Sequence, residues 1–155
     1  MTEKKIAFFS LVVLATISFL FALPRPDAEA LCIQSKRANL RQGPGTHFEI
    51  KWQVFQYMPF KALRKKGNWY RVQDLDGDIF WVHGKLTTKA YKCAVIKKDK
   101  TNLRKGPGTK FAKVDWSPVD KYFSMKVLKI KNNWVKVEDG VGDRAWIYRP
   151  LVWIR

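Results

Sequence analysis

Apolar and polar residues alternate along several short segments of this 155-residue chain. In Trp69–Val72 and in Trp134–Val137, one side of the alternation is apolar and the other pairs a tryptophan with Arg71 or Lys136. Successive side chains of a strand point to opposite faces, so a period of two predicts half-buried strands and little helix. Ten strands are predicted: Ile33–Ser35, Ala38–Arg41, Lys61–Lys66, Trp69–Gln73, Ile79–His83, Ala94–Lys97, Thr101–Arg104, Met125–Lys131, Trp134–Glu138 and Ala145–Tyr148. Short strands at this spacing indicate an all-β barrel or sandwich.

The pattern occurs twice. Asn39–Thr46 reads NLRQGPGT and Asn102–Thr109 reads NLRKGPGT, 63 residues later, while Asn68–Val72 matches Asn133–Val137 at an offset of 65. Self-similarity at one period indicates a duplicated folding unit. We therefore predict two small domains, at residues 31–88 and 91–155, which abut because no long linker separates them.

Glycine and asparagine mark the turns within each unit. Gly-Pro-Gly after each NLR motif supplies a tight turn. The segments around Gly67 and Asn132 suit hairpins that need a left-handed residue, as do those around Gly77 and Gly142. Each unit is thus predicted to contain two hairpins.

The N-terminus has the organisation of an export signal. Lys4 and Lys5 precede an apolar run over Ile6–Leu23, and Ala28–Ala30 fits small-x-small cleavage after Ala30. We predict a signal peptide over residues 1–30, helical in its apolar part, and a periplasmic or extracellular mature protein. The 18-residue run also just reaches spanning length, so retention as an anchor is the alternative.

The chain is strongly basic and has one pair of cysteines. Lysine and arginine number 30 against 13 acidic residues, a net charge of +17, and all of that excess lies beyond residue 30. A net charge of this size says little about the fold, but it favours binding to anionic partners. Cys32 and Cys93 each precede an NLR motif. In an oxidising compartment they suggest a disulfide, and two buried thiols in equivalent strands are the alternative.

Together these residues resemble the bacterial Src homology 3 (SH3) domain family, whose core reads N-[LV]-R-x-G-P-G-T, then W-x-x-V, then G-x-x-x-W-V. Both units carry it, in a form similar to that of exported proteobacterial proteins. The second unit departs at Ile147–Tyr148, which replaces Val82–His83, and in an inserted segment at Asp115–Pro118. The resemblance implies two tandem small β-barrels that bind cell-wall material or peptides.

Tryptophans next to cations are the best candidates for ligand binding. In the alternation, the face that carries Trp69 or Trp134 also carries a basic residue, which marks that face as open to solvent. We therefore predict a shallow aromatic groove bordered in the two units by Trp69, Arg71, Trp81, Trp134, Lys136, Arg144 and Trp146. The alternative is that these large aromatics only complete two small cores.

Residues with the chemistry of catalysis are sparse. His47 and His83 have no counterparts in the second unit, and neither they nor the cysteines have zinc-ligand spacing. Asp76 and Asp78 flank a glycine turn, where aspartate is expected to bond the backbone. We therefore expect neither an enzyme nor a metal or cofactor.

The leading hypothesis is a non-catalytic, exported binding module for cell-envelope material, either peptidoglycan or another anionic wall polymer. The alternative is an adaptor that binds extended peptides of a secreted or periplasmic partner. Nucleic-acid binding fits the charge and the aromatics but is disfavoured by the export signal. Membrane contact is expected only through an uncleaved signal.

Overall fold

The computed structural model describes residues 29–155, which form an all-β fold. The predicted signal peptide lies outside the described residues except for Glu29 and Ala30. Residues 29–155 include no helix with the length and apolar character that crossing a membrane requires. The strands are β1 (Ala30–Ile33), β2 (Arg37–Arg41), β3 (Ile50–Phe55), β4 (Pro59–Lys66), β5 (Trp69–Gln73), β6 (Ile79–His83), β7 (Thr87–Thr88), β8 (Cys93–Ile96), β9 (Ser124–Lys131), β10 (Trp134–Glu138), β11 (Arg144–Tyr148) and β12 (Val152–Ile154).

The strands form two antiparallel sheets, one for each repeat. The first repeat has the order β3-β2-β6-β5-β4-β1-β7 and the second has the order β11-β10-β9-β8-β12. The predicted hairpins are confirmed as β4–β5–β6 and β9–β10–β11. Their turns contain the expected left-handed residues, with φ of 56° at Gly67 and 51° at Asn132.

The closed barrels expected from the resemblance are not what the structure contains. Each sheet is open, with β3 and β7 at the edges of the first and β11 and β12 at the edges of the second. In the second repeat the predicted strand Thr101–Arg104 makes only isolated bridges, to Val119, Lys113 and Trp146. Its would-be partner segment contains Pro118, which has no N–H to donate to a ladder. The corresponding segment of the first repeat is β3, a strand that the sequence did not predict.

Two apolar cores lie beneath the sheets, and equivalent residues occupy them. The motif leucines Leu40 and Leu103 are both fully buried, as are Val72 and its counterpart Val137. The first core also takes in Val95, Tyr122 and Trp153 from the second repeat. The two repeats therefore share apolar packing, as expected for units too small to bury much surface alone.

A disulfide and a polar network join the repeats. Cys32 of β1 and Cys93 of β8 are bonded, with 5.9 Å between their Cα atoms, and both are buried. The predicted disulfide is confirmed, and the alternative of two buried thiols is wrong. Nearby, Ser124 Oγ donates to the Gln56 carbonyl across the interface at 2.8 Å.

The end of the predicted signal meets the first strand of the fold. Ala30, after which cleavage is expected, begins β1 opposite Lys61. The Glu29 carbonyl accepts a hydrogen bond from the Ala62 amide at 2.7 Å, and the Glu29 carboxylate pairs with Lys89. Cleavage after Ala30 would remove both of these contacts.

Candidate binding grooves

Two surface grooves occupy equivalent places in the two repeats. Groove 1 contains Trp69 in its lining and has a volume of about 340 Å³; groove 2 contains Trp134 and has a volume of about 680 Å³. Eight of the nine residues that line groove 1 have their repeat counterpart in groove 2, Gln53 being the exception. The pairs are Arg37/Lys100, Ala38/Thr101, Asn39/Asn102, Arg41/Arg104, Thr46/Thr109, Trp69/Trp134, His83/Tyr148 and Leu86/Leu151. The duplication has thus preserved a concave surface as well as a core.

Hairpin register places an aromatic pair in each groove. Trp69 is the first residue of β5 and lies opposite His83 of β6, with 5.1 Å between the ring centroids in an edge-to-face arrangement. Trp134 likewise begins β10 opposite Tyr148 of β11, at 5.7 Å. Both tryptophans are half-buried. Directly opposed residues bring their side chains into contact, so each indole is held in place while part of it stays open to solvent.

Residues of the NLR motif also line each groove. The Arg41 guanidinium donates to the carbonyls of Thr46 at 2.9 Å and Phe48 at 2.7 Å, while Arg104 donates to Phe111 at 2.7 Å. Each arginine therefore ties down the Gly-Pro-Gly loop that borders its groove. A charged donor makes a stronger hydrogen bond than a neutral one, which suits this role.

Glycine is required in these loops by close approach. A Cβ at Gly43 would lie 2.5 Å from the ring of Phe48, and one at Gly106 would lie 2.4 Å from the ring of Phe111. The loop backbone thus packs directly on an aromatic ring, which fixes the rim of the groove.

The grooves are cationic. Groove 1 has Arg37 and Arg41 in its lining and no carboxylate. Groove 2 has Lys98, Lys100 and Arg104, with Asp99 as its one carboxylate. Asp99 Oδ1 already accepts a hydrogen bond from the Lys121 amide at 2.9 Å. Both surfaces therefore combine an indole with positive charge and suit an anionic or neutral extended ligand.

His83 and Tyr148 make the two grooves chemically different. His83 Nδ1 accepts a hydrogen bond from the Lys85 amide at 3.2 Å, so the ring nitrogen left to donate is Nε2. Tyr148 is 40% exposed, and its hydroxyl makes no hydrogen bond within the described residues. Groove 1 is thus bordered by an imidazole and groove 2 by a phenol.

The structure separates the residues that the sequence proposed for the site. Trp69 and Trp134 line the grooves, whereas Arg71, Lys136 and Trp146 are half-buried outside both linings. Trp81 and Arg144 do not line either groove.

Trp81 is a core residue. It is 6% exposed and the Arg64 guanidinium lies 5.2 Å from its ring centroid, so it borders neither groove. Arg144 is exposed and pairs with Glu138 at 2.8 Å on β10. Of the groove residues, the sequence analysis identified only Trp69 and Trp134. Those that it missed include His83 and Tyr148 and the motif positions Asn39, Arg41 and Thr46 with their counterparts. The repeated octapeptide was itself the signal, but it was interpreted only as a turn.

A charged network away from the grooves holds the repeats together. Lys121 Nζ lies 2.8 Å from both carboxylate oxygens of Asp76, and the Tyr122 hydroxyl donates to the same carboxylate. These hydrogen bonds from Lys121 and Tyr122 lower the pKa of Asp76. Burial is the main cause that raises the pKa of Tyr122, followed by the hydrogen bond to Asp76.

The pKa of Asp74, two residues before Asp76, is shifted in the opposite direction. Burial raises its pKa, although its Oδ1 accepts from the amides of Asp76 at 3.0 Å and Asp78 at 2.9 Å. Asp139 of the second repeat accepts from Val141 and Asp143 in the same way. The carboxylates of Asp74 and Asp139 therefore organise these turns. The sequence analysis expected that role of Asp76 and Asp78, but the Asp76 carboxylate instead accepts from Lys121 and Tyr122. Within residues 29–155, no three His, Cys, Asp or Glu side chains cluster as a metal site would require.

Comparison with known proteins identifies relatives of both repeats. A family profile described as a bacterial SH3 domain matches residues 34–89 and 97–153. The chain is 24% identical over 115 residues to the "Putative N-acetylmuramoyl-L-alanine amidase YrvJ" of Bacillus subtilis (strain 168). That alignment covers 68% of this chain and 22% of the relative, so the chain spans about a fifth of its length.

Two solved structures are remotely similar. An NlpC/P60 family protein from Bacillus cereus ATCC 10987 has 14% identity and a TM-score of 0.38, with 82% of this chain and 56% of that chain covered. The structure titled "Endolysin LysPBC5 CBD" has 17% identity and a TM-score of 0.33, with 85% and 98% covered.

Proposed function

The chain belongs to the bacterial SH3 domain family, and from that premise we propose that it is a non-catalytic, exported binding module for cell-envelope material. Its ligand is peptidoglycan or another anionic wall polymer. The two repeats act as domains of residues 31–88 and 91–155, and each contributes one groove. The observation that carries the proposal is the pair of grooves, which have eight equivalent lining residues around Trp69 and Trp134.

The chemistry of the grooves supports an extended polymer as ligand. A half-buried indole offers a flat apolar surface, and the arginines and lysines beside it offer charge to carboxylates or phosphates. The amide groups of Asn39 and Asn102 add hydrogen-bonding capacity at the same place in both grooves. Two like sites on one chain suit a repetitive polymer, because binding at one groove raises the local concentration for the other.

Charge and relatives support the envelope as the location. The net charge of +17 is well above the usual magnitude of about 2–8 for a small domain, which favours a polyanionic partner. The Bacillus subtilis relative is named as an amidase of N-acetylmuramoyl-L-alanine, a wall component. The apolar run at Ile6–Leu23 supports export.

Co-sedimentation with purified sacculi tests the proposal. Trp69→Ala and Trp134→Ala should each weaken binding by roughly tenfold, about 1–2 kcal/mol for truncating a central aromatic contact. The double variant should lose more than either single variant. The matched control is Phe55→Ala, which removes an aromatic that is 61% exposed but lies outside both grooves.

The form of the sacculi identifies the polymer. Sacculi that retain covalently attached anionic polymers should be compared with sacculi stripped of them by acid. Equal binding points to peptidoglycan, and loss on stripping points to the attached polymer. In either case binding should weaken as salt rises to about 0.5 M, because exposed charges are then screened within a few ångströms. Wild type that stays in the supernatant at low salt, just as the double variant does, would refute the proposal.

A further inference from the structure

A pocket of the first repeat, next to groove 1, is lined by three lysines and by no carboxylate of the described residues. It has a volume of about 370 Å³ and shares His83 with groove 1. The lysines come from separate parts of the chain: Lys65 lies near the end of β4, Lys85 follows β6 and Lys89 follows β7. We call this hollow the lysine pocket.

The ring of Tyr70 brings two of these lysines together. Its centroid lies 5.2 Å from Lys65 Nζ and 5.7 Å from Lys89 Nζ, and Tyr70 is directly opposite Lys65 in the β4–β5 hairpin. An ammonium group within about 6 Å of an aromatic ring is attracted to it. The ring therefore helps to hold two like charges at one hollow. A concave surface lined by charge of one sign concentrates its field on an anion.

The lysine pocket has no counterpart in the second repeat. At the offset of 65, an apolar residue replaces each lysine, the pairs being Lys65/Ile130, Lys85/Pro150 and Lys89/Ile154. The correspondence holds in the structure, because Ile130 lies opposite Val135 just as Lys65 lies opposite Tyr70. Both repeats thus form their hairpins and grooves with or without these lysines, so the fold itself does not require the cluster.

Gly84 keeps the Tyr70 ring accessible. A Cβ at Gly84 would lie 3.3 Å from that ring and 3.2 Å from the carbonyl oxygen of Asn68. The second repeat has Arg149 at this position and the smaller Val135 in place of the tyrosine. The glycine and the large flat ring therefore occur together, in the repeat that has the pocket.

The chain itself places a carboxylate at this pocket. Glu29 pairs with Lys89, and both side chains are about half exposed. Lys65 and Lys85 form no ion pair within residues 29–155, so two of the three positive charges stay uncompensated. Ion pairs this exposed are weak, and another anion can displace Glu29. The predicted cleavage after Ala30 would remove Glu29 and leave all three lysines without a partner among the described residues.

A hydroxyl adds a donor to the three ammonium groups. Thr88 Oγ1 lines the pocket and accepts a hydrogen bond from the Ala90 amide at 3.1 Å, so its own proton is left to donate. The pocket therefore offers several donors and a charge of +3 to one ligand. A phosphate monoester has a charge of about −1.5 to −2 at pH 7 and three acceptor oxygens, which match this set better than a carboxylate does.

We propose that the lysine pocket is a phosphate-binding site of the first repeat, and that the Glu29 carboxylate competes for Lys89 as long as residue 29 is present. The ligand group is a phosphate monoester. Free phosphate and a phosphate carried on a saccharide share this chemistry, and His83 connects the pocket to groove 1, where a saccharide would lie against Trp69. The site does not depend on what the grooves bind in the wall.

An NMR titration of the full chain with inorganic phosphate, at constant ionic strength, tests the site. The amide signals of Thr87 and Thr88 should shift in a saturable way. Lys65→Gln and Lys85→Gln should each weaken binding about fivefold, the effect of one unit charge about 4 Å away in bulk water. Lys129→Gln is the matched control, because Lys129 is an exposed lysine of β9 outside the pocket, and it should bind like wild type.

Glu29→Gln in the full chain tests the competition. Loss of the carboxylate should tighten phosphate binding by about two- to fivefold, and adding Lys89→Gln should cancel the gain. Glu49→Gln is the matched control. It removes the same charge from a similar exposed pair, with Lys51 at 2.7 Å, and should not change the affinity. Mass spectrometry confirms that residue 29 is retained in each preparation.

Glucose 6-phosphate distinguishes the two sources of phosphate. If the group is carried on a saccharide in groove 1, this probe binds more tightly than inorganic phosphate and Trp69→Ala removes the difference. Equal affinities for the two probes assign the site to free phosphate. Neither probe contains peptidoglycan, so a protein that binds phosphate but not sacculi contradicts only the proposed function.

Four results would overturn the phosphate site. They are no saturable shift up to about 50 mM phosphate, acetate binding as tight as phosphate, wild-type affinity in both Lys65→Gln and Lys85→Gln, and equal effects of Glu29→Gln and Glu49→Gln. The second result would make the pocket a carboxylate site, and the last would contradict the competition by Glu29.

Discussion

Reduction of the Cys32–Cys93 disulfide should lower the free energy of unfolding by about 4 kcal/mol. The bond joins residues 61 apart in sequence. In the chain-entropy model, closing a loop of that length removes about 14 cal/mol/K from the unfolded state, which is about 4 kcal/mol at 25 °C. Cys32 lies in β1 and Cys93 in β8, and both are buried. The figure of about 4 kcal/mol counts only the entropy of the unfolded chain.

Urea denaturation with and without a thiol-free phosphine reductant measures this change. With a slope of about 2 kcal/mol/M, the midpoint should fall by about 2 M. The double variant Cys32→Ala/Cys93→Ala is the control: its midpoint should not respond to the reductant. Thiol labelling of native, unreduced protein should be absent.

A midpoint that moves by less than about 0.5 M on reduction would contradict the reasoning. Such a result would mean that the apolar and polar contacts between the repeats already restrict the unfolded chain or that the bond is strained. Rapid labelling of Cys32 or Cys93 without reductant would contradict the bond itself.

Two further predictions concern the interface and the groove loops. Because the pKa of Asp76 is lowered, its ion pair with Lys121 stabilises the fold above the ordinary carboxyl pKa of about 4 and loses that contribution as the pH falls through the lowered value. Asp76→Asn should therefore reduce the loss of stability that wild type shows as the pH falls below about 4. The difference in free energy of unfolding should be less than about 1 kcal/mol, because the ion pair is exposed. A variant with the same pH dependence as wild type would contradict this. Gly43→Ala should destabilise the protein by about 1–3 kcal/mol in the same assay, because the new Cβ meets the Phe48 ring. Gly140→Ala, with no close neighbour, should cost less than about 0.5 kcal/mol, and equal effects at the two glycines would contradict the argument.

Local patterns in the sequence predicted much of the fold. The bounds of β5, β6 and β10 agree with the prediction, since alternation and turn residues define them within a few positions of the chain. The missed strand β3 follows a loop and is stabilised by its pairing with β2, a contact that depends on residues about 15 apart. Closure of a sheet also depends on such distant pairings, so the resemblance to a barrel family did not predict the open edges.

In the candidate site too, the sequence predicted what depends on local pattern and missed what depends on contacts between distant residues. Alternation placed Trp69 and Val72 of β5 on opposite faces, and Trp69 is half-buried whereas Val72 is fully buried. It could not predict that Trp81 would be enclosed, because Arg64 comes from another strand to cover the ring. Nor could it place Arg41 in the groove wall, since the side chain is directed there by carbonyls of a loop five to seven residues away.

The central claim is that Trp69 and Trp134 are contact residues of two like grooves. The most direct measurement is an NMR titration of the seven tryptophan indole N–H signals with soluble peptidoglycan fragments. The account predicts that the signals of Trp69 and Trp134 shift in a saturable way while that of the buried Trp81 stays in place. Saturable binding with no shift at either Trp69 or Trp134 would contradict it.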